Sequence, residues 1–232
     1  MINVIFCGYR FWALEIIKYF ENSSNIKIVS IFNNNEEIVN NINSINDKVD
    51  VVVFLGWSWF ISNNILEKYF CVGIHPSDLP NYRGGSPLQH QIINGIEYTK
   101  ISLMQISSEG IDKGDIWDKE ELCLNGDSME IIFKNLTISS IILLNRFFHN
   151  FDNKKSYKQD IESGLYFDRR KPEESKILKE FFYNKSLKEI YNFIRALTYP
   201  YPNAYIEDEK GNKLLFEKVK YIEKGNDESI KD

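Results

Sequence analysis

Residues 50–55 read D-V-V-V-F-L, five apolar residues in a row with no polar alternation. A strand with no polar face has to be covered on both sides, the usual situation of a parallel strand between two layers of helices. The same kind of segment recurs on either side of it. Residues 2–7 (I-N-V-I-F-C) form an apolar run that stops at Gly8, and 26–32 (I-K-I-V-S-I-F) and 71–74 (C-V-G-I) read as further strands. Helical patterns lie between them. Phe11, Leu14, Ile17 and Phe20 predict one apolar helix face, Ile38, Val39, Ile42 and Ile45 a second, and 64–69 a short third helix. Strand–helix alternation predicts an α/β fold, a Rossmann-like, doubly wound, mostly parallel sheet.

A stiff loop at 75–87 follows, then a helix from Pro87 to about Asn94 and a half-exposed strand at 100–106. Residues 107–115 are a glycine-bearing loop. Asp127 and Glu130 predict a capping box for a helix from Ser128 to Phe148. Its run L-T-I-S-S-I-I-L-L at 136–144 is too short to span a bilayer and reads as a buried helix. The alternation ends near Asp152, which divides the chain into a core, 1–151, and a small α+β extension, 152–232. The extension holds a helix over 186–197 and a hairpin, in which K-G-N at 210–212 joins runs over 204–209 and 213–222. The charged stretch after Glu223 is expected to fray.

Several function classes lack their signatures. The first strand ends in C-G-Y-R, so no G-x-G-x-x-G dinucleotide cradle is present, and the chain has no G-x-x-x-x-G-K-[ST], no zinc-spaced cluster and no G-x-S-x-G elbow. A net charge of −5 gives no basic nucleic-acid footprint. Cys7, Cys71 and Cys123 form no C-x-x-C pair and read as free thiols in a reducing, cytoplasmic setting. The N-terminal residues carry no signal-peptide pattern.

What stands out is His75, in G-I-H-P-S-D-L-P-N-Y-R-G-G-S-P. It follows the fourth strand at once, and ligands of open α/β sheets bind at that carboxyl edge. Pro76 and Pro80 stiffen the loop, while Gly84 and Gly85 allow tight turning or close approach to a ligand. A ring held this way suits acid–base chemistry. Asp112, in G-I-D-K-G-D, also follows a strand and could orient the imidazole; spacing alone does not separate it from Asp115.

H-P-S-D-L-P-N-Y-R-G-G-S-P, N-G-I-E-Y-T-K-I-S-L-M and G-I-D-K-G-D-I, in this order, resemble the catalytic core of formyltransferases that use N10-formyltetrahydrofolate. F-D-R-R-K-P-E-E-S-K-I and I-R-A-L-T-Y-P-Y-P-N-A-Y resemble the C-terminal elements of the sugar N-formyltransferase branch. The resemblance implies a folate co-substrate, no metal, an amino-dideoxysugar linked to dTDP or GDP as acceptor in bacterial surface-polysaccharide synthesis, and a homodimer, with no nucleic acid or membrane partner. It implies His75 as base and Asp112, rather than Asp115, as its partner. The family's Asn, which donates to the developing oxyanion, falls at Gly73, a departure that would cost about 10²–10³-fold in rate if nothing replaced it. Stand-ins are a protonated His75, a backbone N–H near Gly73, Ser77, Gln89 and His90. Leu55, Gly56 and Trp57 with Gly110, Ile111 and Asp112 are the implied pterin contacts, although Trp57 and Trp59 fit packing equally well. Arg10, Arg83, Arg169, Arg170 and Lys171 are candidates for a pyrophosphate, and Tyr9, Tyr199 and Tyr201 for the base. The alternatives are a methionyl-tRNA or glycinamide-ribonucleotide formyltransferase, and a catalytically silent ligand-binding relative.

Overall fold

The computed structural model describes residues 1–153 and 155–224, so only Lys224 of the charged stretch after Glu223 falls inside it. Strands β1 (Ile2–Cys7), β2 (Ile26–Phe32), β3 (Val51–Leu55) and β4 (Cys71–His75) are parallel, in the order β2-β1-β3-β4. A two-residue strand, β5 (Arg83–Gly84), lies outside this sheet. Strands β6 (Tyr98–Gln105) and β7 (Ile116–Cys123) extend it beyond β4, each antiparallel to its neighbour. This is the expected Rossmann-like, mostly parallel α/β sheet. The sequence reading assigned no element to 116–123; its burial is irregular, and pairing with β6 makes it a strand.

The side chains of β3 divide between two cores. Val51, Val53 and Leu55 pack with α1 (Phe11–Phe20), while Val52 and Phe54 pack with α2 (Asn35–Asn41) and α3 (Asn63–Lys68). The first core also takes α4 (Pro87–Ile93) and α5 (Met129–His149). Val72 and Ile74 of β4 face it, and Cys71 faces the other. Strand periodicity therefore puts Gly73 and His75 on the α2–α3 side. The stripe expected on α1 is corrected: Phe11 and Leu14 are exposed, and Trp12, Ala13 and Ile16 join Ile17 and Phe20 inside. A three-residue spacing drifts around a helix of 3.6 residues per turn.

By length and composition α5 could cross a membrane, but eleven of its 21 residues are buried, against β7 and α1 among others. It is the buried helix expected. Its predicted capping box does not form. Ser128 is the N-cap and makes no side-chain cap bond; Thr198 Oγ1 accepts the Met129 N–H instead at 2.7 Å, and Asp127 accepts from the Tyr191 hydroxyl at 2.6 Å. Arg146 ties the other end to β7 through Asp118, Glu120 and the Lys119 carbonyl.

The extension continues with β8 (Tyr166–Phe167), α6 (Lys179–Asn184), α7 (Leu187–Arg195) and the hairpin β9 (Ala204–Glu207)–β10 (Lys213–Phe216), whose second strand is shorter than expected. Buried Arg195 fastens α7 to the turn before α5. Its Nη1 donates to the Leu124 and Gly126 carbonyls at 2.6 and 3.1 Å, and its Nε to Asn192 Oδ1 at 2.9 Å. A methionine there would leave these buried acceptors unpaired, so Arg195→Met is expected to lose about 2–4 kcal/mol in urea unfolding. A loss below about 1 kcal/mol would mean that water replaces the guanidinium.

All three cysteines are free, with Cys7 and Cys71 buried. Burial pushes the Cys7 thiol well up and that of Cys71 to about 12. A thiol is reactive only as thiolate. At pH 8 both are therefore expected to resist a thiol reagent until the chain is unfolded; fast labelling of either in the native state would contradict this packing.

Candidate active site

His75 ends β4 and is buried. Its Nε2 lies 2.8 Å from the Tyr82 carbonyl oxygen, which makes Nε2–H the donor. Nδ1, left with the lone pair, faces Asp112 Oδ2 at 3.4 Å. The same oxygen accepts the Gly84 N–H at 2.9 Å. Asp112 reaches this position with φ +54°, in the left-handed region where Asp is one of the tolerated residues. Asp115 points elsewhere, accepting from the Ser156 hydroxyl at 3.3 Å. The structure thus separates two aspartates that spacing did not. A carboxylate facing the lone-pair nitrogen stabilises the positive charge that builds when the ring accepts a proton.

The His75 loop is held at many points. The Ser77 hydroxyl donates to the Asn81 carbonyl at 2.6 Å, and the Ser102 hydroxyl to that of Ser77 at 2.8 Å. Gln91 donates to the Pro76 carbonyl at 2.8 Å, with its own oxygen fixed by Thr99. Lys119 reaches Asp78 and the Leu79 carbonyl.

A strap from 157 to 171 crosses both loops. Gln159 Nε2 donates to the carbonyls of Asp112 and Gly114 at 3.0 and 2.6 Å, so it holds the Asp112 turn. Strand β8 pairs in parallel with β5, and His90 Nε2 meets the Asp168 carbonyl at 3.1 Å. Glycines permit this contact. A Cβ on Gly84 would sit 2.2 Å from the Phe167 carbonyl oxygen, and one on Gly85 2.3 Å from Arg169 Cα. Tight turning or close approach to a ligand was expected here; Gly84 does turn, at φ +92°, and it is the strap's backbone that comes close.

At Gly73 the position of a side chain is filled by Ile106, whose Cδ1 would lie 3.0 Å from an added Cβ. Of the proposed stand-ins for the missing donor, Ser77 and His90 are engaged as described, and Gln89 is buried in α4. Leu55 is a core side chain, with none of its surface exposed. Gly56, at φ +60°, is covered by Trp12 and Arg10. Trp57 packs edge-on against Phe54 and Trp59, and Trp59 lies against Tyr9. The Trp57 indole nitrogen is buried without a protein partner. Gly110 and Ile111 are exposed at the rim.

The phosphate and base candidates divide. Arg83 is buried and donates to the Pro80 and Ile161 carbonyls, so it is a structural residue and no longer a phosphate candidate. Arg170 donates to the Glu174 carbonyl. Lys171 and Tyr199 are exposed. Tyr9 and Arg10 share Ser58 Oγ, at 2.8 and 3.1 Å. Burial pushes the Tyr201 phenol up, and the charges of Arg10 and Arg169 oppose the rise. Among the described residues no three His, Cys, Asp or Glu side chains gather into a metal-binding group. The sequence reading missed Gln159, Ile106 and the Tyr82 carbonyl: a glutamine in a polar stretch, an apolar residue after a strand and a backbone atom carry no local signal.

The chain is similar to several known proteins. A methionyl-tRNA formyltransferase of Rickettsia africae is 34% identical over 185 residues, 78% of this chain and 58% of that protein, so the chain spans less than two thirds of this relative's length. A solved methionyl-tRNA formyltransferase from Clostridium thermocellum is 34% identical, with a TM-score of 0.78 over 90% of this chain and 89% of that one. A solved 4-N formyltransferase from Francisella tularensis shares the fold at 21% identity, TM-score 0.75, covering 94% of this chain and 98% of its own. The formyl transferase family matches residues 17–135, just over half of the chain and including His75 and Asp112. On this match the chain belongs to the formyl transferase family.

Proposed function

We propose that this chain transfers a formyl group from N10-formyltetrahydrofolate to a primary amine. The observation that carries the reading is the buried His75–Asp112 pair at the carboxyl edge of the sheet. The acceptor amine attacks the formyl carbon, and a C–N bond forms. His75 takes the amine proton at Nδ1, where Asp112 offsets the charge. The tetrahedral intermediate then collapses, the bond from carbon to N10 breaks, and the proton passes to N10. With Ser77 and His90 engaged elsewhere, and both His75 ring nitrogens committed to Tyr82 and Asp112, Gln89 is the side-chain candidate left for the oxyanion.

Two acceptors are in play. Relatives at one-third identity are named methionyl-tRNA formyltransferase, and this favours methionyl-tRNA over the nucleotide-linked amino sugar expected from the tail. One feature keeps the sugar as a second reading: residues 152–224 supply the strap across both catalytic loops, where they would complete a site for a small acceptor. The −5 net charge points the same way, since a tRNA partner calls for a basic face.

Mass spectrometry of the purified chain with the folate donor and either methionyl-tRNA or a panel of nucleotide-linked 3-amino and 4-amino-dideoxysugars separates these. One formyl group gained by one acceptor is the expected result. His75→Asn and Asp112→Asn are expected to slow transfer by roughly 10²–10⁴-fold while the protein stays folded. No product with any acceptor, from protein that binds the folate, would leave the silent-relative reading standing.

Restoring the family Asn is expected to fail alone. Gly73→Asn drives a side chain into Ile106 and should cost about 1–3 kcal/mol of stability. Adding Ile106→Ala opens the space, and the double variant is expected to regain stability and exceed Gly73→Asn in rate. Equal stability of Gly73→Asn and the parent protein would show that Ile106 moves aside freely.

A further inference from the structure

Resting on the formyl-transfer reading, we propose that Phe167 is a positioning residue: its ring, stacked on that of Tyr82, holds the Tyr82 carbonyl against His75 and so keeps the imidazole proton on Nε2. The need for such a hold follows from the site itself. A neutral imidazole carries one N–H. The His75 ring faces two acceptors, the Tyr82 carbonyl oxygen 2.8 Å from Nε2 and Asp112 Oδ2 3.4 Å from Nδ1. A carboxylate is the stronger acceptor of the two. With the carbonyl gone, Asp112 would draw the proton to Nδ1, and Nδ1 would then have no lone pair to take a proton from an attacking amine. The shorter contact at Nε2 decides which tautomer the ring adopts.

Tyr82 does not present that carbonyl by its own preference. Its φ is +56°, in the left-handed region, where a bulky residue is an outlier and persists only when its surroundings enforce it. The strap supplies the enforcement. The Phe167 ring stacks on that of Tyr82, with 5.0 Å between centroids and 7° between planes, and His90 stacks on Phe167 at 4.6 Å. The Tyr82 hydroxyl accepts from Asn94 Nδ2 at 3.1 Å, so the far end of the ring is fixed too. Just past Tyr82 in the chain, the Arg83 N–H donates to the Leu165 carbonyl at 2.9 Å and the Gly85 N–H to the Phe167 carbonyl at 2.8 Å. These bonds align the two segments, and the ring pair adds an attraction that depends on its geometry, which an aliphatic side chain does not reproduce. Phe167 therefore acts on His75 through one intermediary, the left-handed peptide of residue 82.

The test is nitrogen NMR of the full chain carrying isotope-labelled histidine, at about pH 8.5, where an ordinary imidazole is neutral. The chain has three histidines, and the His75 signals are those lost in His75→Asn. The parent is expected to show His75 protonated at Nε2. Phe167→Leu keeps an apolar side chain but no ring. It is expected to move about half or more of the His75 population to the Nδ1–H form, and to lower kcat about tenfold with KM within about twofold. Phe167→Tyr is expected to restore both. Tyr82→Leu removes the other ring of the pair and gives the same comparison if Phe167→Leu fails to fold. Leu165→Ala, an exposed side chain on the same strap, is the control and should leave His75 as in the parent. Parent His75 already in the Nδ1–H form, an unchanged tautomer in Phe167→Leu, or the same change in Leu165→Ala overturns the proposal. So does a tautomer change that leaves the kcat of an active enzyme unaltered. The spectrum does not depend on turnover. A tautomer change in Phe167→Leu, with a parent chain that formylates no acceptor, supports the hold on His75 and refutes the transfer reading.

Discussion

Contact between the strap and the loops that carry His75 and Asp112, backbone to backbone at the first and through the Gln159 side chain at the second, is the constraint on which the site depends. Peptide groups approach this closely only where no Cβ intervenes, which is why Gly84 and Gly85 face Phe167 and Arg169. The contact converts two loops into a fixed frame. One side carries His75 with Nε2 tied to the Tyr82 carbonyl, and the other carries Asp112, its turn held by Gln159. Because every bond of the frame has both partners within the chain, the imidazole and the carboxylate are positioned before any ligand arrives.

The sheet supplies the other half of the geometry. Alternation along β4 puts Val72 and Ile74 into one core and leaves Gly73 and His75 on the opposite face. That face is apolar up to its edge, since Ile106 lies over Gly73 and the rings of Phe54, Trp57, Trp59 and Tyr9 follow in sequence of contact. A hydrocarbon side chain therefore stands where the family resemblance led one to expect an amide.

The parallel core was legible because β3 has no polar face, and a five-residue apolar strand leaves little choice of environment. The His75 loop was legible because prolines and glycines at fixed offsets speak locally. What could not be read depended on partners distant in the chain. Strand β7 lacks clean alternation and exists by pairing with β6. The cap of α5 comes from Thr198, so local capping preferences at 127–130 pointed to the wrong residue. Arg83 looked like a phosphate ligand by type and place, yet two carbonyls consume it. The helical stripe on α1 failed for a different reason: a period of three is close to 3.6, and the difference turns Phe11 and Leu14 out to solvent.

The two-residue parallel ladder between β5 and β8 joins segments some eighty positions apart in the chain. Between them the chain forms β6, β7 and α5. Closing so long a loop is entropically unfavourable and contributes late, as non-local pairings do. The parallel sheet can assemble from its first hundred residues, but the frame around His75 cannot. Formation of the frame around His75 would then lag behind the appearance of secondary structure during folding.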